Sequence, residues 1–331
     1  MRATSPSESR IGSPVDGMNS AHLSLVAVKC CVCESEDAAQ IATGYDFEYL
    51  TSPDIFSVSR CLVCRNVYLN PRPDVSEFER IYPSDYHSLE FSEQNYSFVH
   101  KVRSRLEARR LLGYCQGIRA DSLILDVGCG DGFHLNLLRD YGAPGWSVSG
   151  IDIDRRAVEV ARRRGLKVSL GTVEDLVEEE ARYDVIYSLQ TIEHVAAPDE
   201  MLAAIAAILR PGGRAVIVTD NTDSIDASLF KARYWGGYHF PRHWNLFNRR
   251  SLARLAEKCG LEVVSIKTIV SPVNWVYSIH NALVDRRAPR WLSDRFTLKS
   301  PVSLGLFTLL DIVLARFGKG ALLSAMLRKS R

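Results

Sequence analysis

The sequence lacks several features that would place it in a specialised class of protein. Its net charge is only +2 over 331 residues, so charge alone does not indicate nucleic acid as the default partner. Residues 1–20 contain no continuous apolar stretch, so we expect no cleaved secretory signal there. No repeat of solenoid length is present. With 46% hydrophobic residues, the composition is that of an ordinary globular protein, and we expect it to be cytoplasmic.

Apolar patterns divide the chain into segments. We predict a disordered tail over 1–27, a Cys-rich module over 28–70, a helical connector over 71–120 and an alternating β/α region over 121–331. In that region the apolar runs 122–127, 148–153, 183–189, 215–219 and 261–270 predict strands, and the intervening segments have helical spacing. The alternation predicts an α/β fold with a doubly wound parallel sheet, in which ligands bind beyond the carboxyl ends of the strands.

Four of the eight cysteines form two C-x-x-C pairs, Cys30 with Cys33 and Cys61 with Cys64, separated by 27 residues. Each pair can present two thiolates, and two pairs complete a tetrahedral metal site. We therefore predict a zinc ribbon with a structural Zn²⁺, from which Cys31 points away. A redox C-x-x-C is the alternative, but the pairs lie outside any thioredoxin-like β/α context. The ribbon contains too few cations for strong phosphate binding, so no nucleic-acid partner is expected.

A glycine-rich turn follows the first strand of the β/α region, where Asp126, Gly128, Gly130 and Gly132 stand in the pattern D-x-G-x-G-x-G. Glycines let the backbone turn sharply and approach a ligand closely. The dinucleotide fingerprint would need glycine at 133, where the sequence has Phe133. The alternative is a tight strand-to-helix turn that binds nothing.

The second strand of this region ends at Asp152, about 26 residues after the first strand ends at Asp126. A carboxylate at a strand tip can accept hydrogen bonds from both hydroxyls of a ribose. We assign that role to Asp152 and the capping of the next helix to Asp154, although either carboxylate could cap.

Together with the segments SLQTIEHV at 188–195 and LRPGG at 209–213, these motifs resemble class I S-adenosylmethionine-dependent methyltransferases. The resemblance is to ubiquinone-type O-methyltransferases and sugar C-methyltransferases, in a bacterial subgroup with an N-terminal zinc ribbon. It implies a Rossmann-like methyltransferase sheet with a final antiparallel strand near 320–329, and S-adenosylmethionine as the cofactor. The residues that it implies for cofactor binding are Asp126, Gly128, Gly130, Gly132, Asp152, Ile153, Thr172, Val173, Glu174 and Gln190.

Two positions depart from the pattern of these relatives. Relatives often have an aspartate at position 172 that accepts from the adenine amino group. Here the acceptor is Thr172, Glu174, Asp175 or a backbone carbonyl. Gln190 replaces the first glutamate of the E-x-x-E-H-V segment, which in some relatives holds a divalent metal, and this argues against a metal-assisted mechanism.

Methyl transfer requires alignment of the acceptor and removal of its proton, for which histidine is well suited. Within an acceptor loop at 223–247, the segment YWGGYHFPRHW at 234–244 is dense in aromatic, His and Arg residues and resembles the W-x-x-x-H-x-P-R-H segment of the same subgroup. We predict His239 as the preferred base and Arg242 as the ligand of an acidic group on the acceptor. The complete catalytic prediction is His239, His194, His243, Arg242 and Glu193. The alternative is that the aromatics only pack the loop and the histidines satisfy backbone groups.

Two further segments are candidates for contact with partners. In relatives the region after the ribbon lies beside the acceptor pocket, so Tyr82, Tyr86 or His87 could touch substrate. A helical insertion at 271–318 contains the apolar run 302–317, which Asp311 interrupts and which is shorter than a bilayer span. We interpret it as a core or lid helix, or alternatively as a peripheral helix on the inner face of the membrane.

The sequence thus predicts methyl transfer to a small molecule, a sugar, or a glycan- or lipid-linked acceptor. The alternatives are an NAD-dependent oxidoreductase and a non-catalytic zinc-ribbon binding protein with a vestigial methyltransferase fold. The identity of the acceptor atom stays open.

Overall fold

The structure is a computed structural model that describes residues 21–83, 97–180 and 182–329, without the side chains of 97–103. Tyr86 and His87, predicted to contact substrate, lie outside the described residues, as does the predicted tail over 1–20.

The N-terminal part is built from short antiparallel strands. Strand β1 (Leu25–Val26) pairs with β5 (Arg72–Pro73), while β2 (Ala38–Gly44), β3 (Phe56–Cys61) and β4 (Val67–Leu69) form a separate sheet. The prediction of a disordered tail is therefore wrong for its last residues. Leu23 is buried there, and the backbone N–H of Ser24 donates to Glu77.

The connector begins with a 3₁₀ turn at Val75–Glu77 and helix α1 (Phe78–Ile81) and continues in α2 (Ser97–Tyr114). The β/α region then runs through β6 (Leu123–Val127), α3 (Phe133–Tyr141), β7 (Ser147–Asp152), α4 (Arg155–Arg163), β8 (Val168–Leu170), α5 (Asp175–Glu178), β9 (Tyr183–Leu189), α6 (Pro198–Ile208) and β10 (Leu209–Asp220). The acceptor loop contains α7 (Ile225–Phe230), a 3₁₀ turn at Gly236–Tyr238 and β11 (Asn245–Leu246). After it come α8 (Arg249–Lys258), β12 (Leu261–Ile269), α9 (Val273–Asp285), α10 (Arg290–Ser293), α11 (Pro301–Arg316) and β13 (Leu322–Lys329).

The main sheet has the strand order β12-β13-β10-β9-β6-β7-β8. Strands β6 to β10 are parallel to their neighbours among themselves, and β13 lies antiparallel between β10 and β12. The predicted α/β, doubly wound sheet with a final antiparallel strand is confirmed. Polar side chains cap the N-termini of two helices beside this sheet. Asp154 accepts a hydrogen bond from the N–H of Arg156 at the start of α4, and Asn248 forms a capping box with Ser251 at the start of α8.

The acceptor loop is joined to the small sheet. Strand β11 pairs with β4 through Asn245 opposite Tyr68 and Leu246 opposite Val67, so the loop supplies the fourth strand. Trp235, Tyr238 and Phe240 of the loop share an apolar core with residues of β3. The Cys-rich segment and the loop are therefore packed as one layer against the main domain.

The insertion between β12 and β13 consists of α9, α10 and α11. The rings of Trp275 and Phe307 stack with centroids 5.6 Å apart and join α9 to α11. The interrupting carboxylate of Asp311 is buried and accepts from the backbone N–H groups of Ser271 and Ala321. None of the helices in the described ranges combines the length and the apolar content that crossing a membrane requires.

Candidate active site

A cavity of about 980 Å³ opens beyond the carboxyl ends of the central strands. Gly128, Gly130 and Asp152 border it on one side, and His194, His239 and His243 border it on the other. The location agrees with the rule that ligands of open α/β sheets bind at this edge.

The glycines of the turn have two different functions. Gly130 borders the cavity with φ +54°, and a Cβ built on it would meet no atom within 4 Å. Its backbone therefore faces open space that a ligand can enter. At Gly132 a Cβ would lie 2.2 Å from Cδ1 of Leu166, so this glycine allows α3 to pack closely on the segment before β8. Gly132 is buried and does not border the cavity, and its contact with a cofactor stays a prediction.

Asp152 stands at the tip of β7 and borders the cavity. Oδ2 accepts from the N–H of Gly130 at 2.7 Å, and Oδ1 accepts from the N–H of Asp154 at 2.8 Å. Each carboxylate oxygen has a second lone pair, so both can still accept from a ligand hydroxyl. The glycine-rich turn thus holds the Asp152 carboxylate in a position where it can bind a ligand in the cavity.

Asp126 lies beneath the turn and does not border the cavity. Burial raises the pKa of its carboxyl to about 6, and within the described residues neither of its oxygens has a hydrogen-bond partner. Nδ1 of His134 is 3.8 Å from Oδ2. The Asp126 carboxylate is therefore not placed to contact a ligand in the cavity directly.

The segment after β8 borders the cavity through Thr172, Val173 and Glu174, and Ile153 does so after β7. The carboxylate of Asp175 instead accepts from the N–H of Thr172 at 2.8 Å, away from the cavity. This narrows the side chains that could accept from an adenine amino group to Thr172 and Glu174. Gln190 borders the cavity with φ +55°, a left-handed conformation that is uncommon for this residue type.

Three imidazoles converge at the other end of the cavity. The ring centroid of His243 lies 4.5 Å from that of His194 and 5.0 Å from that of His239. His194 and His239 are 6.4 Å apart. Residues from two separate loops, after β9 and after β10, are thereby brought to one surface.

Partners at Nδ1 orient each ring. Nδ1 of His239 lies 2.8 Å from Oε1 of Glu48, and Nδ1 of His243 lies 2.8 Å from the carbonyl oxygen of Gly237. Nδ1 of His194 lies 3.2 Å from the carbonyl oxygen of Arg242 and 2.7 Å from the hydroxyl of Tyr82. Because carbonyl and carboxylate oxygens accept hydrogen bonds, the contacts of His239 and His243 place a proton on Nδ1 of these two rings. In His239 and His243, Nε2 is then the nitrogen that can take up a further proton.

The pKa values of the three histidines are shifted in different directions. Burial lowers the pKa of His194 well below its ordinary value, and the neighbouring His243 and His239 lower it further. Burial also lowers the pKa of His239, although the Glu48 carboxylate opposes this effect. For His243 burial is outweighed by the carboxylates of Asp220 and Glu193, so its pKa is raised.

Glu193 lies behind the histidines and does not border the cavity. Burial raises its pKa to about 7, and Oε2 accepts from the hydroxyl of Thr219 at 2.9 Å. The ligand atoms of Glu193, His194 and His243 lie within 4.8 Å of one another, a set that could hold a metal ion. Gln190 contributes no carboxylate to it.

Arg242 is fully buried, with 0% of its surface exposed. Its Nη1 and Nη2 donate to the two carboxylate oxygens of Asp46 at 3.1 and 2.9 Å, and its Nε donates to the carbonyl of Ile81 at 2.6 Å. The guanidinium lies 4.4 Å from the ring centroid of Tyr49. The prediction that Arg242 binds an acidic acceptor group is wrong, because its donors are directed to the protein interior and none of it reaches the cavity.

The four cysteine thiols of the C-x-x-C pairs lie together. Sγ of Cys30 is 3.4 Å from that of Cys64, Sγ of Cys33 is 3.5 Å from that of Cys61, and all four lie within 4.8 Å of one another. Zn–S bonds of about 2.3 Å in a tetrahedron separate the sulfurs by about 3.8 Å, so this group could hold zinc. Cys31 is outside the cluster, and its sulfur accepts from the Nδ2 of Asn66 at 3.7 Å.

The sequence does not identify Glu48 and Asp46 as site residues, although both orient residues that it does predict. They stand in Tyr45-Asp46-Phe47-Glu48-Tyr49, where two carboxylates alternate with aromatic residues. Carboxylates inside an aromatic segment are a signal of buried, partnered acids, but nothing in the segment identifies the partners.

The family model described as a methyltransferase domain matches residues 94–266, just over half of the chain. The chain belongs to this methyltransferase family.

The methyltransferase is 30% identical over 204 residues to "Ubiquinone biosynthesis O-methyltransferase" of Bordetella avium (strain 197N), covering 56% of this chain and 81% of that protein. It is 32% identical over 181 residues to the protein of the same name from Alkalilimnicola ehrlichii (strain ATCC BAA-1101 / DSM 17681 / MLHE-1), covering 50% of this chain and 71% of that protein. A solved S-adenosylmethionine-dependent methyltransferase from Archaeoglobus fulgidus covers 71% of this chain and 100% of its own, at 18% identity and a TM-score of 0.44.

These findings decide between the functions that the sequence left open. The protein is an S-adenosylmethionine-dependent methyltransferase, and the NAD-dependent and non-catalytic alternatives are set aside. The open backbone at Gly130 and the carboxylate of Asp152 fit the cofactor. The acceptor is not defined by family membership.

Proposed function

We propose that this methyltransferase methylates a hydroxyl group of a small-molecule, sugar, or glycan- or lipid-linked acceptor that binds at the histidine end of the cavity. The relatives are named as O-methyltransferases, which supports a hydroxyl acceptor. The observation that carries the proposal is the Glu48–His239 contact of 2.8 Å between two side chains that both border the cavity.

Bound S-adenosylmethionine would supply the methyl group of its sulfonium. The sulfur would leave as a neutral thioether when the methyl group is transferred. The protein would hold the cofactor through the backbone at Gly128 and Gly130, the Asp152 carboxylate, and the residues after β8. An acceptor hydroxyl is a weak nucleophile until its proton is removed, and a base at the opposite end of the cavity meets that requirement.

His239 is the base in this proposal. Its Nδ1–H donates to Glu48, which leaves Nε2 as the nitrogen that takes the acceptor proton. The Glu48 carboxylate fixes the ring and stabilises the imidazolium that forms. His239 also has a left-handed backbone (φ 36°, ψ 50°), and such strained conformations concentrate at functional sites.

His194, His243 and Tyr82 border the same end of the cavity and would position the acceptor. The neutral His194 ring suits hydrogen bonding to a hydroxyl, while His243 is the ring most readily charged. The zinc ribbon would act structurally, since it carries Glu48 and its sheet contains β11 of the acceptor loop.

The proposal is tested with ¹³C-methyl-labelled S-adenosylmethionine and a panel of phenols, nucleotide-linked sugars and polyprenyl-linked glycans. We expect a labelled O-methyl product from one of these classes. His239→Ala should lower kcat by about 10²- to 10⁴-fold while the affinity for S-adenosylhomocysteine is kept. Loss of that affinity in the variant, or label only on carbon or nitrogen, would contradict the proposal.

The pH profile separates a base from a residue that only supports the fold. The pKa of His239 is lowered, so the acid limb of kcat/KM should have its midpoint below the ordinary histidine value of about 6.5, with the rate rising as pH rises. Glu48→Gln removes the carboxylate that raises this pKa, so the midpoint should move to still lower pH and the plateau should fall roughly tenfold. Glu36→Gln, which replaces an exposed glutamate of the same segment, is the matched control and should change neither. An acid limb that stays in place in Glu48→Gln would refute the assignment.

A further inference from the structure

The outward face of α11 carries large apolar side chains that are exposed to solvent. Single exposed apolar residues are ordinary, but this helix has six along its sixteen residues, and Phe317 follows at its C-cap. Their exposed fractions run from 36% at Ile312 to 80% at Val302. The exposed set is Val302, Leu306, Leu309, Leu310, Ile312, Val313 and Phe317.

The opposite face of α11 is firmly attached, which fixes the orientation of the exposed face. Ser303, Phe307 and Asp311 are buried, and they recur every four residues along one side of the helix. Phe307 stacks on Trp275, and Asp311 binds two backbone N–H groups outside α11. The apolar stripe on the other side is therefore a stable surface of the folded chain.

The segment that contains α11 is rich in positive charge. Residues 286–319 contain seven Lys or Arg and only two Asp, one of which is the buried Asp311. The cations are Arg286, Arg287, Arg290, Arg295, Lys299, Arg316 and Lys319. A contact between two copies of this face would bring like charges together, whereas an anionic partner would neutralise them.

A second cavity, of about 440 Å³, lies at the C-terminal end of α11. Arg249, Arg250 and Lys319 line it together with Asn221 and Asp223, and Gly318, which also lines it, follows the exposed Phe317 in the chain. Arg249 and Lys319 each donate to a backbone carbonyl, of Ile266 and of Asp223. A cavity lined by three cations next to this segment offers a place for a phosphate headgroup.

Trp291 is a further exposed aromatic residue in the same insertion. Its side chain is 64% exposed, and the guanidinium of Arg295 lies 5.5 Å from its ring centroid. Exposed tryptophan beside basic residues is typical of protein segments that lie at the boundary between headgroups and acyl chains.

We propose that the exposed face of α11, with Trp291 and the cations of this segment, is a docking surface for an anionic phospholipid bilayer. The insertion also forms a wall of the active-site cavity, through Leu298 just before α11 and through Val273, Asn274 and Tyr277 of α9. Docking would hold the acceptor side of the cavity beside the lipid and select acceptors with an apolar tail. Only this last step rests on the proposed function.

The surface is tested by sedimentation of the full chain with vesicles. Vesicles of phosphatidylglycerol and phosphatidylcholine in equal parts should bind the protein, and phosphatidylcholine alone should bind it at least about tenfold more weakly. Leu306→Glu combined with Leu309→Glu should lower binding to the anionic vesicles by at least about tenfold. Leu106→Glu, which replaces a leucine of 64% exposure on α2, is the matched control and should bind as the wild type does.

Calorimetry with S-adenosylhomocysteine is run on the same samples, so that the docking surface and the methyl-transfer site are judged separately. Unchanged affinity in the α11 variant together with lost vesicle binding supports the proposal. Wild-type protein that stays unbound with both kinds of vesicle while it binds S-adenosylhomocysteine overturns the docking surface and leaves the proposed function standing. A wild-type dimer that the α11 substitutions convert to a monomer, without vesicle binding, would assign the face to a second copy and also overturn the proposal.

Discussion

Arg242 and Asp46 form an ion pair from which water is excluded, since both side chains are 0% exposed. The desolvation cost of such a pair is offset only when the remaining donors and acceptors are satisfied. Here Arg242 also donates to the carbonyls of Ile81 and Phe240, and Asp46 accepts from the N–H groups of Tyr49 and Thr51. The pair joins the acceptor loop to the Cys-rich segment and holds Glu48, two residues from Asp46, near His239.

Arg242→Met tests this structural function. Removal of the guanidinium leaves the buried carboxylate of Asp46 unpaired, and the free energy of unfolding should fall by about 3–5 kcal/mol, measured in urea. Asp46→Asn combined with Arg242→Met should recover part of that loss, because it removes the charge. An Arg242→Met variant of unchanged stability that has lost acceptor binding would restore the predicted anion-binding function.

At the scale of elements, the predictions succeeded where the signal is local. The turn after β6, the cap at Asp154 and the strand pattern depend on residues that are close in the chain. The contacts that orient the site are not local: Glu48 and His239 are 191 residues apart, and Asp46 and Arg242 are 196 apart. An arginine in a loop carries no sign of whether it will face a ligand or a buried acid, since that is set by tertiary packing.

Strand pairing explains why the Cys-rich segment matters to the active site. Strand β11 of the acceptor loop depends on β4, and β4 follows directly after Cys64 in the chain. The N–H of Trp244 donates to the carbonyl of Glu193 at 2.7 Å, so the same loop is also tied to the segment after β9. Loss of order at the cysteines should therefore spread to the histidine end of the cavity.

We predict that Cys61→Ser combined with Cys64→Ser removes one equivalent of zinc per chain, as measured by metal analysis. Amide exchange at Asn245 and Leu246 should become faster in this variant, because β11 would lose its partner strand. Cys31→Ser is the control and should retain the metal, since Cys31 lies outside the thiol cluster. Equal zinc content in all three proteins would refute the ribbon site.

At the scale of the whole molecule, five parts of the chain meet around one cavity. The parallel sheet contributes the glycine turn and Asp152, the Cys-rich segment Glu48, the connector Tyr82, the acceptor loop His239 and the insertion Tyr277. The apolar run in the insertion illustrates the limit of a sequence argument. Its composition suits a core helix and a surface helix equally, and only the packing of Phe307 and Asp311 reveals which side faces outward.

The central claim, that the cavity binds the methyl donor through Asp152, is tested most directly by calorimetric titration of the full chain with S-adenosylhomocysteine and with NADH. The wild type should bind S-adenosylhomocysteine and not NADH, and Asp152→Ala should weaken the binding by about 100-fold or more, as expected for the loss of hydrogen bonds to a charged group. Asp131→Asn is the matched control, because Asp131 lies in the same turn, pairs with Arg164 at 2.7 Å and does not border the cavity, so this variant should keep the affinity. Binding of NADH without S-adenosylhomocysteine, or undiminished affinity in Asp152→Ala, would contradict the account.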